Sequence, residues 1–108
     1  MSLTNILKGE SKKPQRIVKM FNFYDSKAEA FAHAPQFYET TGLAIRAIQK
    51  GCNTKGSGFA ENPADYTFFE VGTYNLDTGE VKMYDTKKEL GLALQFVENS
   101  SLTNSPVM

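Results

Sequence analysis

Five large rings crowd into the stretch "YTFFEVGTYNLDTGEVKMY" (66–84): Tyr66, Phe68, Phe69, Tyr74 and Tyr84. It reads as a β-hairpin, and strand alternation divides its side chains between two faces. Phe69 and Val71 point one way, with Val81 and Met83 opposite them on the returning strand. Tyr66, Phe68, Glu70 and Tyr74 point the other way, joined by Lys82 and Tyr84. The first set is aliphatic enough to pack under helices. The second mixes tyrosines, a phenylalanine and charges, as a surface does. Such a face can bind single-stranded nucleic acid, because unpaired bases stack on rings while Lys and Arg hold the phosphates. The same rings could equally bury against a helix, the first hairpin or a second subunit. Glu70 and Asp85 would repel phosphate, and no RNP-type signature is present.

The basic residues that could serve such a face lie mostly at the start of the chain. Lys8, Lys12, Lys13, Arg16 and Lys19 face Glu10 alone within residues 1–19, although the whole chain has zero net charge. A basic arm on a mildly acidic body can reach a phosphate backbone or an acidic partner, or be simply a solvated terminus. Arg46 and Lys50 are second-rank candidates.

Other chemistry finds little support. One histidine, His33, and one cysteine, Cys52, lie far apart in the chain and suggest neither a zinc site nor a Cys-His nucleophile pair. The carboxylate pairs Asp25/Glu29 and Asp77/Glu80 fall near turns, where turn chemistry explains them. "GCNTKGSG" lacks the GxxxxGK[ST] pattern and follows a helix where a phosphate loop would precede one. No catalytic residue, metal ligand or cofactor is expected, and the chain does not read as an enzyme.

The elements that must position these residues follow from periodicity. Residues 1–15 read as a flexible basic arm, 16–98 as one domain and 99–108 as a disordered tail. "RIVKMFNFYDS" is a first strand with Ile17, Lys19, Phe21 and Phe23 on one face and Val18, Met20, Asn22 and Tyr24 on the other. Ala30–Ala32 is a short second strand, ended or bulged by Pro35. "TTGLAIRAIQKG" is a helix capped by Thr40 or Thr41, stopped at Gly51, with Leu43, Ala44, Ala47 and Ile48 inward. "CNTKGSGFAE" is a mobile loop, and "ENPAD" a single helical turn with Asn62 as cap and Pro63 first. Gly79 supplies the positive φ of the hairpin loop. "DTKKELGLALQFV" then reads as a second helix, with Thr86 and Glu89 at capping-box spacing and Leu90, Ala93, Leu94 and Val97 inward.

With 41% hydrophobic and 22% charged residues, 108 residues suit one soluble domain with a modest core and argue against wholesale disorder. No apolar run approaches the roughly 20 residues of a membrane span. The N-terminus has no secretory pattern, and a lone cysteine fits a reducing, intracellular setting.

Four segments together, "YDSKAEAF" (24–31), "GLAIRAIQ" (42–49), "NPADYTFFEVGTYNLDTGEV" (62–81) and "LGLALQF" (90–96), resemble one family. It is the small nonstructural protein of gokushoviruses, single-stranded DNA phages of the microvirus group. Its members begin with a strand and a "YD-x-KAEAY"-like segment, followed by a small-residue helix. A "P-D-Y-x-LF-x-LG" block with a TG turn and a short "LG-x-A" helix then follow. The resemblance covers residues 17–97 in order; the longer N-terminal arm, and Phe69 and Val71 where leucines are common, depart from it. It implies a protein of the host cytoplasm, absent from the virion, that acts around viral DNA in replication or packaging.

The resulting expectation is an α+β fold, a small antiparallel sheet of about four strands with two helices in ββαββα order, both on one sheet face. The uncovered face would bind DNA or a second copy, making a homodimer. The leading function is single-stranded DNA binding, with Tyr66, Phe68, Tyr74 and Tyr84 stacking bases and Lys82, Lys12, Lys13, Arg16 and Lys19 on phosphates. The other is a protein-interaction adaptor or regulator that uses the aromatic face.

Overall fold

The computed structural model describes residues 15–98, and its core is an antiparallel sheet of five strands. The strands are β1 (Ile17–Asp25), β2 (Ala30–Phe31), β3 (Gln36–Tyr38), β4 (Tyr66–Asn75) and β5 (Val81–Leu92). The long ones run in the order β1-β4-β5, and the two short strands both pair with the far edge of β1. Helix α1 (Thr41–Cys52) and the short α2 (Gly58–Glu61) fall between β3 and β4. The fold is therefore α+β, as expected. The arm lysines Lys12 and Lys13 and the tail lie outside the described residues.

Helix α1 starts where the sequence says it should. The Thr40 hydroxyl accepts the Leu43 N–H at 3.1 Å, satisfying one of the orphan donors of the first turn. The helix runs past Gly51 to Cys52 and is capped at Asn53, whose side chain donates to Gln49 O and Phe96 O. Ala44 and Cys52 are buried, while Leu43 faces solvent. The loop after α1 is more structured than expected. Ser57 caps α2 through the Ala60 N–H, and its hydroxyl donates to Gly51 O. Phe59 explains the order: its ring meets those of Phe23, Tyr66 and Phe68 at centroid distances of 4.8, 5.0 and 5.1 Å. Full burial of a ring of that size contributes about 1.5–3 kcal/mol, and the half-buried Phe59 gains part of it, tying the short loop to the core. "PAD" forms the expected single turn, without a side-chain cap from Asn62.

The second helix expected from "DTKKELGLALQFV" is instead strand. β5 continues to Leu92 and only Ala93–Phe96 turns, as a single 3-10 turn. Gly91 decides the matter physically. It sits at φ 137°, a conformation closed to other residues and incompatible with a helix, opposite Phe68 in the ladder. The Leu90, Ala93 and Val97 positions still pack on the core, whereas Leu94 is exposed. A short apolar stripe at that spacing suits a bulged strand and a tight turn as well as a helix.

Two irregularities in β4 set which side chains share a face. Met20 pairs with Gly72 and Phe21 with Glu70, so Val71 is an extra residue on β4. Against β5, Gly72 pairs with Met83 and Glu70 with Lys88, and Tyr84–Lys87 bulge outward opposite Val71 alone. A one-residue insertion reverses the alternation beyond it. Phe68 and Glu70 therefore face the helices, while Tyr74, beyond the bulge, faces away from them.

Candidate nucleic-acid interface

The helices cover one face of the sheet and leave the other open. On the covered face Phe23, Phe59, Tyr66 and Phe68 form an edge-to-face cluster over Cys52 and Ala93. Phe68 is 5% exposed and presents no ring on the outer surface of the sheet. Tyr66 is half-buried in the same cluster. Of the four rings expected to stack bases, these two are core, because the helices pack on the Phe68 side and not on the Phe69 side. The aliphatic pair expected under the helices, Val81 and Met83, is correspondingly exposed on the open face at 51% and 56%.

Tyr84 and Lys19 converge on the buried Glu70, on the helix side beyond the start of α1. The Tyr84 and Thr41 hydroxyls donate to its two carboxylate oxygens, and Lys19 Nζ donates to Thr41 Oγ1 at 3.1 Å. Lys19 and Lys88 Nζ lie 3.7 and 3.9 Å from Glu70 Oε2, and Lys88 also sits 5.0 Å above the Tyr84 ring. Burial pushes the Glu70 carboxyl up, but these hydroxyls and lysines outweigh it and hold it below the ordinary range. Burial and the adjacent carboxylate push the Tyr84 hydroxyl up to about 12. Glu70 thus ties α1, β4 and the β5 bulge together. Lys19, Thr73 and Lys82 form a row across β1, β4 and β5 on this same side.

The remaining basic candidates are scattered. Arg16 is held by Asp77 through Nε and a terminal nitrogen at 3.0 and 2.8 Å. Arg46 and Lys50 are exposed on α1, away from the open face. Cys52 is buried, and that burial pushes its thiol up to about 11.

The open face carries a different set of rings. β2 and β3 flank β1 on one side and β4 on the other, so rings from the outer strands can meet only over β1. Phe37 and Tyr74 do so at 5.6 Å, above Met20, which is buried although no helix covers it. Phe31 approaches Phe69 at 5.8 Å and Tyr24 at 5.2 Å. Lys87, from the β5 bulge, places its ammonium 5.7 Å from the Phe31 ring centre. Phe31 and Phe37 are 39% and 47% exposed. Glu89, opposite Phe69, adds one acid to this face. Tyr24, Phe31, Phe37 and Phe69 were not singled out from sequence as a ligand surface. Their placement follows from which sheet face the helices cover, which no local pattern states; Gly72 inside a strand pattern marks only the bulge that turns Tyr74 to join them.

Among the described residues no group of three His, Cys, Asp or Glu could hold a metal, and no helix is long and apolar enough to cross a membrane. The class so defined is a small α+β domain with helices on one sheet face and aromatic side chains on the other. The chain matches the family described as Phage ORF5 protein over residues 18–96, and it belongs to that phage protein family. Searches of curated proteins and of solved structures found no match.

Proposed function

We propose that this chain is a nonstructural, single-stranded DNA-binding protein of a gokushovirus-type phage. In this reading it acts in the host cytoplasm during viral DNA replication or packaging. The observation that carries the reading is the open sheet face, with Phe31, Phe37 and Tyr74 presented beside Tyr24 and Phe69. Each ring that stacks a base contributes about 1–3 kcal/mol regardless of base identity, which suits low sequence preference. Lys87 supplies a cation at the Phe31 end. Lys12 and Lys13 precede β1 by only a few residues, and at about 3.5 Å per residue they stay within reach of its Tyr74 end.

Titration of a labelled single-stranded oligonucleotide with Phe31→Ala and Phe37→Ala tests the reading. Each variant binds about tenfold more weakly while retaining the fold. Unchanged affinity in both variants would remove the open face from the interface. A second reading is favoured by the exposed Val81 and Met83 beside the rings. In it a protein partner, a second copy of the chain included, docks on the same face, and binding is insensitive to salt.

A further inference from the structure

A concavity of about 350 Å³ lies on the covered side, between α1 and the short strands. Its walls are the rings of Phe21, Phe23, Phe59 and Phe68 and the small helix face of Ala44, Ala47 and Ile48. Its polar members, His33, Gln36 and Tyr38, come from β3 and the turn before it, at the outer sheet edge. Phe21 meets Tyr38 at 5.9 Å and Phe23 meets His33 at 5.5 Å, so rings bound the space on several sides. Asn22 also lines the space, but its side chain is spent. It donates to His33 O at 3.1 Å and accepts the Phe23 N–H at 2.8 Å.

Apolar walls with a few convergent polar groups are the makeup of a small-ligand site. Here the imidazole, the carboxamide and the phenol supply both donors and acceptors, and none of the three hydrogen-bonds another described side chain. An aliphatic chain or a plain phenyl ring would leave those groups unanswered. A planar heteroaromatic, with π faces for the rings and polar edges for the mouth, uses both. We infer that this cavity is a binding site for one nucleobase, free or extruded from a strand. The choice of ligand rests on the single-strand reading. Phe37 faces the open side while Gln36 and Tyr38 face the cavity, so a strand crossing the β3 edge can turn one base inward.

The test is a chemical-shift titration of the labelled full chain with the four deoxynucleoside monophosphates, and separately with a short single-stranded oligonucleotide. The mononucleotides shift Ala47, Ile48 and the His33 ring, and the oligonucleotide shifts these together with open-face residues. Ala47→Met, a good helix former that fills the cavity, abolishes the cavity shifts. Gln36→Ala, at the exposed mouth, weakens them about fivefold without touching the core. Oligonucleotide shifts confined to Phe31, Phe37 and Tyr74, with none in the cavity from any mononucleotide at millimolar concentration, would overturn the inference and leave the single-strand reading standing. Cavity shifts from mononucleotides without oligonucleotide binding would support the site while removing the single-strand reading.

Discussion

At the residue scale, Glu70 is the side chain whose surroundings most constrain the molecule. A buried carboxylate is tolerated only when its lone pairs are answered, and here two hydroxyls and two lysines answer them. Glu70→Ala leaves the Tyr84 and Thr41 hydroxyls without their acceptor. It is expected to cost about 2–3 kcal/mol, read as a lower urea midpoint with an unchanged m-value. Tyr84 gives a pH signature of definite sign. Its hydroxyl titrates near 10 when unfolded and is pushed up to about 12 in the fold. The unfolded chain therefore releases this proton first, and stability is lost as pH rises from 10 toward 12. Tyr84→Phe should flatten that alkaline loss, measured by thermal denaturation across the range. Glu70 acts in the opposite direction. Its carboxyl lies below its ordinary value of 4.5, so the stability it contributes is complete above that pH and is lost as acid protonates the folded carboxylate. None of this was legible in sequence, where Glu70 was only an acid placed awkwardly for phosphate; a buried, satisfied charge depends on partners drawn from three separate elements.

At the scale of elements, the lesson lies in the two glycines of the β4–β5 ribbon. The caps, the hairpin and the first helix were readable because each is local: Thr40 caps α1, and Gly79 takes the positive φ of the loop. What local pattern could not resolve is a strand whose apolar spacing imitates a helix, or a sheet whose face reverses halfway along. Gly91 marks the first and Gly72 the second. Gly91→Ala discriminates the two assignments directly. In a helix it would stabilise; at φ 137°, with a new Cβ 2.5 Å from Gln95 Oε1, it should cost about 1–3 kcal/mol. That glutamine has little freedom to retreat, since its carbonyl accepts the Leu92 N–H at 2.7 Å. A chemical-denaturation comparison of the two proteins reads the sign.

On the scale of the whole molecule, the sheet separates two populations of rings that look alike in sequence. Phe68 and Tyr66 close the core, while on the uncovered side Phe37 meets Tyr74 and Phe31 meets Phe69 across β1. The aromatic-rich hairpin divides its rings between the two faces of the sheet. Tyr66 and Phe68 are core because the helices pack on their side of the sheet, while the inserted residue Val71 turns Tyr74, beyond it, to the open side. Only Tyr74 among the four expected stacking rings stands on the open side. The first measurement is therefore fluorescence anisotropy of the wild-type chain with a labelled single-stranded oligonucleotide and the matching duplex, across a salt series. The account predicts preference for the single strand, with affinity that falls as salt rises in proportion to the few phosphates contacted. Equal binding to both forms, or none to either at low salt and micromolar protein, would contradict it.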